Sequence, residues 1–224
     1  MFNGFSQAGI DFLWGIRFNN ERPWFEAHKQ EYREHIEQPM KELAAQVHQA
    51  MLADWPGEPL NLHVARIYRD ARRLHGRGPY KDNLWFTLRR PEDPSVELPV
   101  FYFEIAPEYY GYGLGYFCAR PATMARFRAR IDRDPRPMEQ LARHYQSRDT
   151  FTLEGQRYTR PKGDPGELLE PWYNRRTISL SHEDNAEGLL FRPELADAVK
   201  AGFDELMPLY RYLVTLPADP EPGK

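Results

Sequence analysis

The sequence predicts an α+β fold in a single domain, with a mostly antiparallel central sheet covered by N-terminal and C-terminal helices. Three observations carry that expectation. The first quarter of the chain repeats apolar residues at helical spacing, residues 62–119 are rich in β-branched and aromatic residues separated by breakers, and 193–216 returns to a long helical pattern. Of 224 residues, 41% are hydrophobic and 14% aromatic, enough for a core and too many for a chain whose main state is disorder.

Ser6 is an N-cap for a first helix carrying Ile10, Leu13 and Trp14, which Asn19-Asn20 terminates. Pro23 suits the first turn of a second helix, on which Trp24, Phe25, His28, Tyr32 and Ile36 recur near helical spacing. Pro39 marks a kink or a fresh start, and Met40 to Ala53 reads as an amphipathic helix with Leu43, Val47, Ala50 and Met51 on one side. Strands are expected at Leu62 to Asp70, Leu84 to Arg90, Val100 to Ala106 and Tyr109 to Ala119, with connections too short for crossover helices. Pro121 to Asp134 is helical through Met124, Phe127 and Ile131, and Met138 to Gln146 continues it. Thr150 to Leu153 and Arg157 to Arg160 flank Glu154-Gly155-Gln156 as a hairpin, and Arg175 to Leu180 is a last strand. Pro193 to Leu216 closes the domain as a helix that Pro208 bends, so the domain spans 1–216. Residues 217–224, with three prolines and no large apolar residue, form a mobile tail.

Thirty basic and 33 acidic residues leave a formal charge of −3, so the whole molecule has no field for wrapping nucleic acid or coating an anionic membrane. Cys118 is the only cysteine, which excludes an internal disulfide framework and a cysteine-based zinc cluster. Met1 to Gln7 has neither the basic start nor the apolar run of a secretory signal, and no stretch approaches the roughly 18 apolar residues of a membrane span. A soluble cytoplasmic protein is expected, with no membrane partner.

The densest chemistry lies between Arg66 and Lys81, where six cations accompany one anion. On a strand whose Ala65 and Ile67 face the core, Arg66, Tyr68 and Asp70 stand on the opposite face, with Arg72 beyond the strand end. A guanidinium grips phosphate or carboxylate oxygens through two parallel hydrogen bonds, and a neighbouring aspartate holds it in orientation. The plainer alternative is that Asp70 pairs with Arg66, Arg69 or Arg72 in a surface network. Asn19, Asn20 and Trp24 form a second element, two amides at a helix entrance and a ring on which a base or sugar stacks, with capping and core packing as the structural alternative.

Arg66-x-x-Arg69-Asp70-x-Arg72 followed by Tyr80-Lys81 resembles the signature of the bacterial family called domain of unknown function 2461. Asn19-Asn20-Glu21-Arg22-Pro23-Trp24-Phe25, with Lys29 and Tyr32, resembles that family's other hallmark. Weaker similarity runs through Phe127-Arg128-x-x-Ile131 and Pro161-Lys162-Gly163 to Leu168-Leu169, so the likeness extends from Phe2 to about Tyr212. The family usually carries Phe after the third arginine and then an Asp/Asn-Lys pair, where this chain has Arg73 and Leu74-His75-Gly76-Arg77-Gly78. The resemblance implies no particular activity.

Other features are weaker. Arg120 to Arg148 holds eight arginines against three acids, with Arg126, Arg130 and Arg133 on one helical face, either a track for a phosphate backbone or a solvated surface. Glu183 to Lys224 is acidic by five charges. Gly111, Gly113 and Gly115 share one strand face, which admits close approach by a helix, another backbone or a ligand, and five tyrosines from Tyr102 to Tyr116 make an aromatic floor. His28 and His35 are seven apart on an expected helix, yet no metal site is expected from the seven histidines, and Cys118 reads as a small buried hydrophobe in mid-strand. Glu104, on the strand face of Tyr102, is a potential acid or base beside Asp70.

The expectation is therefore a pocket for a small anionic ligand, phosphorylated or nucleotide-like. Arg66, Arg69, Arg72, Tyr80, Asn20 and Trp24 bind it, Asp70 orients an arginine or acts as base, and Lys81 neutralises charge. The alternative is a non-enzymatic interaction module for protein or nucleic acid, in which the Arg-Asp cluster is scaffold. Cofactor, reaction and oligomeric state are left open.

Overall fold

The computed structural model describes residues 1–70, 72, 74, 76–91 and 97–222. Ala71, Arg73 and His75 of the arginine-rich stretch, and Gly223 and Lys224 of the terminal segment, lie outside them. The fold is α+β, with helices from both ends of the chain and an antiparallel sheet. Helix α1 (Gln7–Phe18) starts where the Ser6 Oγ accepts the Gly9 N–H at 3.3 Å, and it buries Ile10, Phe12, Leu13 and Ile16. Trp14 faces outward instead, stacked on Phe18.

The second expected helix is broken into α2 (Arg22–Ala27), α3 (Lys29–Tyr32) and a wide π turn at Arg33–Glu37. Helix α4 (Gln38–Asp54) follows, with Pro39 in its first turn, where a missing N–H costs nothing. The breaks separate His28 from His35. The His28 ring bonds the Trp24 carbonyl at 2.8 Å, while His35 meets the Ser6 hydroxyl at 3.2 Å, so they do not form a ligand pair.

Strands β1 (Asn61–Val64), β2 (Leu84–Arg89), β3 (Val100–Ile105), β4 (Tyr109–Tyr116), β5 (Thr152–Glu154) and β6 (Ile178–Asn185) form a sheet of order β1-β2-β3-β4-β6-β5. To the four strands expected between residues 62 and 119 the sheet adds β5 and β6. The hairpin expected between Thr150–Leu153 and Arg157–Arg160 is also corrected: β5 pairs antiparallel with β6, Leu153 opposite Leu180, and Arg157 bridges Arg175. Gly155 turns the chain there at φ +114°, and a side chain on it would strike the Thr177 carbonyl. Cys118 lies past the end of β4 and is exposed, not buried in mid-strand.

Helices α5 (Pro121–Arg133), α6 (Arg136–Gln146), α7 (Glu170–Tyr173) and α8 (Leu195–Val214) complete the fold, and α8 runs through Pro208. The residues group into two compact units. One comprises Met1–Leu88, Tyr102–Tyr112 and Glu183–Gly202; the other comprises Arg89–Phe101, Gly113–His182 and Phe203–Lys224. In the first, Phe12, Phe25, Tyr32 and Tyr80 form a continuous aromatic cluster. In the second, Phe101 packs on Phe203 and Tyr210 at 5.0 and 4.9 Å. Among the described residues no helix is long and apolar enough to cross a membrane.

Candidate functional site

The strand expected over Leu62 to Asp70 ends at Val64, because the chain leaves regular pairing there and forms a short irregular ribbon with residues 79–81. Tyr68 and Tyr80 face each other as an antiparallel bridge. The Arg69 N–H donates to the Pro79 carbonyl and the Lys81 N–H to the Ile67 carbonyl, both at 2.8 Å. The alternation holds through the core of this ribbon: Ile67 is fully buried, Arg66 is exposed and Tyr68 is 43% exposed.

Asn20 sets the ribbon's position. Its side-chain amide accepts the Tyr80 N–H at 2.9 Å and donates to the Tyr80 carbonyl at 3.0 Å, closing a two-bond clamp across 60 residues of chain. Gly78 belongs to the clamp, since a Cβ on it would overlap the Asn20 amide. Asn20→Ala leaves the buried Tyr80 N–H without its acceptor. Urea denaturation is expected to register a loss of about 2 kcal/mol, and a change within a few tenths would show that the clamp does not hold the ribbon.

Between the ribbon, β1 and β2 lies a cleft of about 670 Å³, lined by Arg66, Arg69, Arg77 and Lys81 together with Tyr68, Asp70, His63 and Trp85. All of it belongs to the first compact unit. Among the described residues four Lys and Arg side chains thus face one carboxylate, and that carboxylate, of Asp70, is engaged by a guanidinium. Arg72 wraps back on it with Nε 3.1 Å from Oδ1 and Nη2 2.8 Å from Oδ2, while the Arg72 N–H donates to the same Oδ1 at 3.0 Å. Arg72 itself is exposed and not among the residues lining the cleft.

Arg69 is held by its own chain. Nε donates to the Tyr80 carbonyl at 2.7 Å and Nη2 reaches Asp82 at 3.4 Å, and Asp82 also accepts from Arg17 Nε at 2.6 Å. Arg69 therefore lines the cleft with a guanidinium already oriented. Arg66 and Arg77, in contrast, have no ion pair among the described residues. The Lys81 ammonium donates to the Arg66 carbonyl and sits 4.3 Å from the centroid of the Trp85 ring. Burial, followed by the charges of Arg69 and Arg66, pushes it down to about 8.

The other expected residues play different parts. The Tyr80 ring is 3% exposed and stacks on Phe25 at 4.2 Å, so what Tyr80 presents is its backbone. Trp24 stacks on His28 at 4.0 Å and fills the space left by Gly15, away from the cleft lining. Glu104 is bonded by the Asn83 amide, and burial raises its carboxyl above the usual range with Glu183 and Asp82 adding to the effect; it is not among the cleft residues.

His63, Arg77 and Trp85 join the cleft without having been expected there as ligand residues. Trp85 carried a signal. Leu84, Phe86 and Leu88 are the buried positions of β2, so its alternation places a tryptophan on the wet face. Arg77 carried one too, as a member of the cation-rich stretch, whereas His63 carried none, since the pairing of its strand brings it in.

The basic helix face is largely committed. Arg130 donates to both Asp219 oxygens at 2.7 and 2.8 Å and to the Tyr212 carbonyl at 2.6 Å, and Arg126 reaches Glu221 at 3.4 Å. These contacts also tie the terminal segment to α5. Among the described residues no group of three or more His, Cys, Asp or Glu is placed to hold a metal ion.

A family model described as Conserved hypothetical protein (DUF2461) matches residues 8–212. No curated protein matches the chain.

Proposed function

We propose, for a chain that belongs to the DUF2461 family, that the cleft beside the Tyr68–Tyr80 bridge binds a small anionic ligand, phosphorylated or nucleotide-like. The observation that supports this most is the charge of its lining: Arg66, Arg69, Arg77 and Lys81 surround a cleft of about 670 Å³ whose one lining carboxylate among the described residues, Asp70, is already forked by Arg72. The volume falls in the range of small-molecule sites. Arg69, pre-oriented by the Tyr80 carbonyl and Asp82, offers its guanidinium without reorganisation. Arg66 and Arg77 supply the mobile grip, and the Lys81 ammonium meets the anion beside the Trp85 ring. Asp70 orients Arg72 in this reading, with no proton transfer assigned to it. We read the protein as bacterial and cytoplasmic, in keeping with its single cysteine.

Calorimetric titration against phosphorylated metabolites tests the reading. A binder is expected whose affinity falls at least tenfold in an Arg66→Ala/Arg77→Ala variant, the loss of two charge-assisted contacts. Arg69→Ala is the poorer probe, because that side chain also holds the ribbon. The pH dependence has a definite sign. An anion favours the protonated amine and raises its pKa, so binding is strongest below about 8, where Lys81 is charged in the free protein. Affinity declines as pH rises through that value, and Lys81→Met removes the decline. A panel without a binder, or a binder indifferent to the double variant, would sink the proposal.

A further inference from the structure

A second cleft, of about 520 Å³, lies within the unit that contains residues 113–182. Its walls include Phe117, Tyr158, Arg160, Lys162 and Arg176, and among the described residues no acidic one lines it. Among the described residues no carboxylate pairs with any of those three cations.

Phe117 is 48% exposed, and its ring lies where a side chain on Gly115 would stand. Glycine at that position leaves room for the ring beside its own strand, which explains one of the three alternating glycines and sets an aromatic platform at the cleft. The loop opposite is fixed. Asn174, only 2% exposed, accepts the Tyr158 N–H on its carbonyl at 3.0 Å and the Lys162 N–H on its side-chain oxygen at 2.7 Å, and donates to the Gly163 carbonyl at 3.2 Å. Lys162 Nζ and the Arg128 guanidinium both sit by the Tyr158 ring, 4.9 and 5.3 Å from its centroid. Arg128 Nη1 is buried without a hydrogen-bond partner among the described residues.

We propose that this cleft binds nucleotides, with phosphate against Arg160, Lys162 and Arg176 and the base stacked on Phe117. Guanidinium forks suit phosphate oxygens. A ring platform beside unpaired cations is also the combination that holds single-stranded nucleic acid without reading its sequence. A free nucleotide and a nucleotide within a strand present the same chemistry, and the experiment separates them.

Fluorescence anisotropy at low salt would follow a labelled eight-residue oligothymidylate and a fluorescent ATP analogue. Arg160→Ala/Arg176→Ala is expected to weaken binding about tenfold or more and Phe117→Leu about fivefold, with circular dichroism confirming that both variants fold. The titrations are made in an Arg66→Ala/Arg77→Ala background, which takes the first cleft's own anion binding out of the reading. Much tighter binding of the oligomer assigns the site to a strand, and comparable affinities assign it to free nucleotide. In that background, failure of both probes to bind, or binding that the Arg160/Arg176 and Phe117 variants leave intact, overturns the proposal without touching the first cleft.

Discussion

Phe25→Ala is expected to lower the unfolding free energy by about 3–5 kcal/mol and to remove anion binding by the first cleft. The ring is fully buried. It stacks on Tyr80 at 4.2 Å, meets Tyr68 edge-on at 5.7 Å, and also contacts Phe12 and Tyr32. Removing it leaves a cavity directly beneath the Tyr68–Tyr80 bridge, and the surrounding rings belong to separate elements that cannot all collapse into the space. Because Arg69 takes its orientation from the Tyr80 carbonyl, movement of the bridge displaces a guanidinium of the cleft. Phe25→Leu separates the two effects: it is expected to keep much of the stability while weakening binding. Urea denaturation and calorimetric titration of both variants give the comparison. Full binding by Phe25→Ala would mean that the cleft does not depend on the bridge.

Arg175→Ala is expected to cost about 3 kcal/mol, read as a shift of the urea midpoint at unchanged slope. Arg175 is buried and spends its guanidinium on three backbone carbonyls: Pro171 at 2.8 Å, Gly155 at 2.7 Å and Leu153 at 3.1 Å. Burial lowers its pKa from the ordinary value, as the absence of an acidic hydrogen-bond partner in this set would dictate. Alanine would leave three acceptors near the β5 turn without their donor. Lysine, with one ammonium in place of a planar fork, is expected to restore little. An Arg175→Lys variant as stable as the parent would show that charge, not the three-way geometry, holds β5.

Arg175 and Asn20 mark the boundary of what local patterns reveal. Each is a polar residue next to ordinary neighbours, and its importance comes from acceptors far along the chain. The periodic elements were legible because period is a local property. Ser6 caps α1 as its position implied, and Leu84, Phe86 and Leu88 point inward along β2 as alternation requires. The concentration of cations between Arg66 and Lys81 was legible for the same reason. Where each guanidinium would go was not: Arg72 turned back to Asp70, Arg69 reached Asp82, and Arg66 with Arg77 kept their capacity for the cleft.

The hairpin expected around Gly155 failed on similar grounds. A turn residue at φ +114° was correctly placed, yet Thr152–Glu154 found its partner in Ile178–Asn185, because strand pairing is won by whichever edge the rest of the fold presents. Composition and spacing alone were enough for the α+β class, the helical ends and the concentration of cations between Arg66 and Lys81, since each is a sum over neighbours in the chain. Folding had to choose the hydrogen-bond partner of every buried or half-buried polar group. A guanidinium or an amide satisfies its donors at the nearest acceptor in space, and nearness in space across 60 residues is written only in the packed tertiary structure.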